Sequence, residues 1–443
     1  MTATRFHLVS LGCAKNTVDS ESMSVLLGRA GFQGSERPEE AEVLIVNTCG
    51  FIGPAKEESL AVLRELAEGK REGQLLIAAG CLTQRDGLKV VEQVPGIDGV
   101  LGTRRWMDIV QVVQSLRERR HPDPLYHLPD TPVVGREEQG VDRVAVSGAS
   151  AYLKIADGCR RPCAFCAIPL IKGPAVSRPT EAILGEARRL QEAGVREVIL
   201  IAQDTTDYGH DLGVKDGLAK LLEDLVTAIP DVDWIRVMYA YPGYVTDRLI
   251  AVMAGNEQIL PYLDMPLQHA DQNILRAMRR PASVDGVQRT IEKMRGAMPE
   301  LALRTTFIVG YPGETEQAFG SLLDFIQDTR FDRVGVFSYS PELGTAGEPL
   351  GDPVPAAVKE ERRDRLMTLQ QKISLERNQT FLGESLPVLI EGCGDGISLG
   401  RSYRDAPEID GMVIVEEEIP AGEMVQVRIT GALEYDLSGV VLR

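Results

Sequence analysis

Three of the seven cysteines in this 443-residue chain fall in one short run, DGCRRPCAFCAIP, as Cys159, Cys163 and Cys166 in the spacing CxxxCxxC. Three thiolates on one loop can hold three irons of a 4Fe–4S cubane and leave the fourth iron without a protein ligand. An open iron is a place for chemistry, whereas a closed cluster only carries electrons. A structural zinc site usually takes four ligands, as two CxxC pairs or a CxxC with two histidines. This loop has three cysteines and no histidine near it. Disulfides belong to exported proteins, and the N-terminal MTATRFHLVSLG carries no signal-peptide pattern. Spacing favours the cluster and leaves zinc and a disulfide as alternatives.

The cysteine run follows an apolar strand, AYLKIAD. Five further strands alternate with helices behind it: EVILIAQD, WIRVMYAY, YLDMPLQ, LRTTFIVG and RVGVFSYS. Six βα units are too few for an eight-fold barrel, and a partial barrel fits them. Barrel chemistry occurs at the carboxyl face, so strand-end residues are candidates. These are Gln203 and Asp204, then Tyr239, Tyr241 and Pro242, then Gln268 and His269. Arg304 lies on the fifth strand, which ends in GYPGET, where Gly310 and Gly313 would let a nucleoside lie against backbone. A lone Gln or Arg at a strand end is as often structural as ligand-binding, and His269 suits packing as well as catalysis.

The N-terminal third also alternates. RFHLVSLG, EVLIVNT and QLLIAAG read as buried parallel strands, with helices over about Asp19–Ala30, from Pro54 through Leu66, and near Asp86–Gln93. This order predicts a doubly wound α/β domain. Cys13, Cys49 and Cys81 each end one of the three strands, so all three lie at one carboxyl edge, where open sheets build their sites. The glycines beside them, Gly12, Gly50 and Gly80, permit close backbone approach. A second three-cysteine cluster is the reading; buried thiols or zinc are the alternatives.

Residues 119–148 break the pattern with Pro122, Pro124, Pro129 and Pro132 and read as a linker. A long charged helix is expected from Pro355 to about Arg377. Short, Gly-punctuated strands after it predict a small antiparallel β-barrel. From Glu376 to Arg443 there are 13 acidic and five basic residues, within a chain of net charge −17. Such a tail is a poor binder of nucleic-acid backbone and a good dock for a cationic protein. Cys393 has no partner in view and reads as a plain free thiol. No stretch approaches the apolar length needed to span a bilayer.

The CxxxCxxC run, with Phe165 before its last cysteine and Pro162 in the loop, resembles the signature of radical S-adenosylmethionine (SAM) enzymes. The C-terminal barrel resembles the TRAM domain, an OB-like module. Nearly the whole chain is similar to the radical SAM methylthiotransferase family. The segments SLGCAKNTVDSE, NTCGFI, DGCRRPCAFCAIP, YLDMPLQHA and DAPEIDG resemble its RimO branch, which adds a methylthio group to the β-carbon of an aspartate in ribosomal protein S-twelve. The alternative is the sister MiaB branch, which modifies a tRNA adenosine. The acidic tail agrees with the protein substrate on physical grounds, since tRNA is polyanionic.

The resemblance implies two 4Fe–4S clusters and SAM as cofactors. Cys159, Cys163 and Cys166 would hold one cluster and Cys13, Cys49 and Cys81 the other, with no catalytic residues beyond these ligands. Phe165, Gln203, Arg304 and Gly310 are the expected SAM contacts. It further implies a cytoplasmic enzyme with S-twelve as partner, free or in the small subunit, an electron donor such as flavodoxin, and a sulfur donor; neither membrane nor nucleic acid is expected as a direct partner. The expected division is a cluster domain over 1–125, a linker over 126–148, a radical SAM domain over 149–375 and TRAM over 376–443.

Overall fold

The computed structural model describes residues 4–118, 123–130 and 140–442. The N-terminal unit is a six-stranded parallel sheet in the order Gln33–Gly34, Arg5–Ser10, Val43–Thr48, Leu75–Gly80, Gly99–Gly102, Leu125–His127. Its middle strand, VLIVNT, is buried along its whole length, as a parallel strand covered on both faces must be. Separate apolar clusters fill the two faces: Phe6, Ile45 and Trp106 belong to one, and Leu44, Leu63 and Leu82 to the other. Two helices begin earlier than the apolar pattern suggests. The first runs Ala14–Arg29 with Cys13 as its N-cap, and the third starts at Cys81 itself. The turn into the third is made by Gly80 at φ +102, where a Cβ would run into Asn47 and the Thr48 backbone.

The second sheet has seven strands. Six are parallel and follow chain order from Ser150–Lys154 through Glu197–Ile201, Trp234–Val237, Ile259–Asp264 and Ala302–Val309 to Arg333–Ser338. This is the open, six-unit barrel the sequence predicts. The seventh, Val144–Ser147, adds antiparallel to the first edge. The stretch expected to be an irregular linker therefore contributes strands at both ends, Leu125–His127 to the first sheet and Val144–Ser147 to the second. Each is short and lies at a sheet edge, where one ladder suffices and no long apolar run marks it. Pro122 and Pro132 lie outside the described residues.

The helix Ala356–Gln379, N-capped by Pro355, carries the chain past residue 376 into a closed five-stranded barrel over Ser385–Val441. The barrel is not wholly antiparallel: Val413–Val415 pairs parallel with Leu437–Val441. A ring of five strands cannot close with every neighbour antiparallel, so one parallel pair is required. One face of the seven-stranded sheet is covered by helices. On the other, Tyr152, Ile199, Trp234 and Tyr262 share an apolar cluster with barrel residues Leu386, Val388 and Val413 and with Ala14 and Val18 of the first helix. All three units thus meet in one core. Glu197 locks the barrel on, accepting from Arg236 at 2.7 Å and from Arg401 of the barrel at 2.6 Å. Among the described residues no helix is long and apolar enough to cross a membrane.

Candidate active site

At the carboxyl edge of the first sheet, Cys13, Cys49 and Cys81 follow three adjacent strands. Cys13 and Cys81 sit at helix N-termini, and at Cys13 the free backbone N–H groups favour the thiolate. The Cys49 backbone is pinned by Ser59, whose hydroxyl accepts from the Cys49 N–H at 3.0 Å and donates to its carbonyl at 3.1 Å. Gly12, at φ +94, is required here: a Cβ would stand 2.7 Å from Cys49 Cβ and 2.9 Å from its Sγ.

The second set is built on the loop after Ser150–Lys154. Two consecutive arginines tie that loop to the end of the next strand. Arg160 forks onto Asp207, and Arg161 donates to Asp204 at 2.6 Å while its guanidinium lies 3.6 Å over the Tyr244 ring. Asp204 is thereby an anchor of the loop. Cys163 Sγ has the Tyr241 hydroxyl at 3.8 Å and receives a bond from Arg280 at 3.6 Å. The loop backbone is held by Cys159 N–H to the Gly173 carbonyl and Ala164 N–H to the Met278 carbonyl.

All six cysteines line one cavity of about 420 Å³ between the two sheets, a size suited to a nucleoside-bearing ligand. None is in a disulfide. Among the described residues no three His, Cys, Asp or Glu side chains converge on a single-ion site. Soft thiols spread around an open space are the donor set an iron–sulfur cluster takes.

Burial pushes Cys81 and Cys166 up to about 12 and Cys159 to about 11, so a metal must displace their protons. Cys13 differs. It is reachable from the cavity and crowded elsewhere; that desolvation raises it, but Lys15, backbone N–H groups and Lys172 together bring it below the ordinary thiol value. Burial in turn lowers the Lys15 ammonium, against the opposing fields of Cys13 and Asp264.

Phe165, Gln203 and Arg304 line the cavity with the cysteines. Gln203 Oε1 is buried and has no hydrogen-bond partner among the described residues. Arg304 is committed within the chain, donating to Asp264 at 2.9 Å and pairing with Asp410 of the barrel at 3.3 Å. Gly310 is placed elsewhere: it is not among the residues lining the cavity, and its φ of +75 serves the close approach of Lys359, which a Cβ would strike. His269 is fully buried; its Nδ1 accepts from the Asp271 N–H at 2.9 Å and its Nε2 faces Glu314 at 3.3 Å, a packing role. Exposed Cys393 is not among the lining residues.

Sequence reading missed Lys15, Asp264 and Arg280 as cavity residues. Arg280 and Asp264 lie far in sequence from any cysteine. Lys15 had a signal, two positions after Cys13 at a helix start. Tyr239 and Gln268, noted only as strand ends, also line the cavity, both with left-handed backbones at φ 63 and 77. Strained non-glycine backbone of this kind gathers at functional sites.

Three segments of the chain match known families. Residues 5–102 match the Uncharacterized protein family UPF0004, residues 153–326 the Radical SAM superfamily and residues 382–442 the TRAM domain. The chain is 50% identical over 454 residues to the Ribosomal protein uS12 methylthiotransferase RimO of Chloroflexus aurantiacus, covering 99% of this chain and 100% of that one. It is 48% identical over 456 residues to the protein of the same name from a Roseiflexus species, covering 98% and 96%. To that of Symbiobacterium thermophilum it is 46% identical over 447 residues, covering 97% and 90%. Among solved structures it is similar to the radical S-adenosylmethionine methyltransferase TsrM from Kitasatospora setae, with a TM-score of 0.58 at 13% identity over 90% of this chain and 81% of that one. The cobalamin-dependent S-adenosylmethionine radical enzyme OxsB gives a TM-score of 0.51 at 11% identity, covering 84% and 56%. At such identities the likeness is one of fold.

Proposed function

The chain belongs to the RimO family of ribosomal protein uS12 methylthiotransferases, and from that premise we propose that it adds a methylthio group to the β-carbon of an aspartate in uS12. The observation that carries this reading is the single cavity lined by both cysteine triplets. Cys159, Cys163 and Cys166 would hold one 4Fe–4S cluster and Cys13, Cys49 and Cys81 the other. When bound, such clusters with SAM supply radical hydrogen abstraction and sulfur delivery, which an unactivated C–H bond needs because it has no acidic proton for a base to take.

The protein's own part is positioning. Arg160 and Arg161 clamp the CxxxCxxC loop, Arg280 donates to Cys163, and the Tyr241 hydroxyl lies against the same sulfur. Gln203 offers an unpartnered oxygen to SAM and Phe165 an apolar wall; Arg304 presents a guanidinium already oriented by two carboxylates. Pre-oriented groups of this kind lower the entropy cost of bringing reactants together.

The barrel supports a basic protein substrate. Its arginines 401 and 404 are buried in ion pairs with the other units. Across the described residues 381–442, eight acidic side chains are exposed against one arginine, Arg428. Such a face attracts a cationic ribosomal protein and repels tRNA. An electron donor such as flavodoxin and a sulfur donor complete the cycle, which runs in the cytoplasm. The test is mass spectrometry after anaerobic incubation of enzyme and uS12 with reductant, SAM and sulfide. A methylthio group replacing hydrogen on one aspartate is the expected result. The same gain on a tRNA adenosine, with uS12 untouched, would overturn it in favour of the MiaB-like alternative.

A further inference from the structure

Three buried lysines, Lys15, Lys154 and Lys172, lie near the junction of the first helix and the partial barrel, and two are fully paired. Lys154 and Lys172 each reach both Asp19 and Asp157 at 2.7–3.2 Å. Lys15 does not follow them. It is 9% exposed and lines the cavity, yet among the described residues it makes no salt bridge. Its Nζ stands 3.1 Å from the centroid of the Tyr239 ring. Asp264 acts on it through space, but the hydrogen bond of that carboxylate goes to Arg304. Tyr239 is held beneath it by a left-handed backbone, at φ 63, whose carbonyl accepts from the Thr205 N–H at 3.1 Å.

A buried cation that no carboxylate pairs directly is costly, and a ring face returns only part of what water gave. Here that cost is met where the start of the first helix lines the cavity opposite the partial barrel. Lys15 lies two residues from Cys13, on the side where sulfur would be delivered. A carbon meeting that sulfur brings its own substituents with it. The β-carbon of an aspartate is bonded directly to the side-chain carboxylate, so a cation beside Cys13 is within reach of that group.

We propose that Lys15, seated on Tyr239, is the specificity-determining residue that receives the carboxylate of the substrate aspartate. The inference rests on the uS12 aspartate reading above. The Lys15–Tyr239 pair joins two domains, so the receptor exists only when the first sheet and the partial barrel are docked. It selects a carboxylate over the isosteric amide, because an amide leaves the ammonium unneutralised.

The test uses reconstituted holoenzyme and two peptides spanning the target loop of uS12, one with the aspartate and one with asparagine in its place. Peptide affinity, iron content and methylthiolation are measured for wild type, Lys15→Gln and Lys15→Arg. Wild type is expected to bind the aspartate peptide about tenfold to a hundredfold more tightly than the asparagine peptide. Lys15→Gln should bring the two within about twofold while iron stays at the wild-type level, and Lys15→Arg should restore the preference. A Lys15→Gln enzyme that keeps the full preference overturns the inference, as does one that loses iron with the preference intact, which would assign Lys15 to the cysteine cluster. If wild type fails to methylthiolate the aspartate peptide at all, the substrate reading falls and the inference with it.

Discussion

Asp19 and Lys154 meet across the junction of the two α/β sheets, the Asp19 carboxylate accepting a 2.7 Å hydrogen bond from the lysine ammonium. Asp19 lies on the helix that Cys13 caps, and Lys154 ends the strand that leads to Cys159. Arg143, Asp157 and Lys172 complete a buried network of three cations and two anions. This network ties the two sheets together beside the cavity that both cysteine triplets line, along with the shared apolar cluster and the ion pairs of Lys56 and Arg85 with Glu342.

Removing Asp19 leaves three buried cations with one carboxylate. Asp19→Ala should cost about 3–5 kcal/mol, read as a lower denaturant midpoint for the transition involving both sheets. Hydrogen exchange should rise in residues 14–29 and 150–154. An unchanged midpoint would deny the network its docking role.

Acid should loosen the terminal barrel through Glu197. Burial raises this carboxyl, but Arg236 and Arg401 more than offset that and hold it at about 2, against an ordinary value of 4.5. A folded pKa below the unfolded one contributes stability that is complete above about pH 4.5 and lost as pH falls toward 2. The contribution is on the order of 3 kcal/mol. Glu197→Gln should give a flatter stability profile across that window; parallel profiles for the two proteins would exclude the linkage.

Anaerobically purified protein should carry about eight irons, and replacing Cys13, Cys49 and Cys81 with alanine should leave about four. Reductive SAM cleavage should persist in that variant and vanish in Cys159→Ala, Cys163→Ala or Cys166→Ala. Iron and 5′-deoxyadenosine assays check both. Full iron in the triple variant would mean that the first triplet binds none.

Gln203 and Arg304 should separate in their effects. Gln203→Ala removes an oxygen with no partner among the described residues, so SAM binding should weaken about tenfold with stability unchanged. Arg304→Ala also removes the hydrogen bond to Asp264 and the ion pair to Asp410 of the barrel, so it should weaken SAM binding and loosen the barrel together. Equilibrium SAM binding and thermal melts on both variants decide this.

Replacing Glu416, Glu417 and Glu418 with lysine should weaken docking to uS12, and the loss should shrink as salt rises, since screened surface charges lose their reach. These three side chains are exposed on the barrel. A salt-independent loss would point to a damaged barrel instead.

The cysteine run, the alternation of strands and helices and the order of units could be read from sequence, because each rests on residues near in the chain. CxxxCxxC is local, and the strand-end positions of Cys13, Cys49 and Cys81 follow from three short apolar runs. The helix starts at Ala14 and Cys81 were blurred because polar cavity residues there hide the apolar period. What only the tertiary structure decided are pairings between distant segments: both triplets in one cavity, Lys15 over Tyr239, Asp19 against Lys154, and Arg304 held by Asp410 of the barrel. Gly310, plausible by position, proved to accommodate Lys359 from a helix about fifty residues away. Such contacts are set by how buried charges neutralise one another when sheets pack, and spacing along a chain carries no record of that.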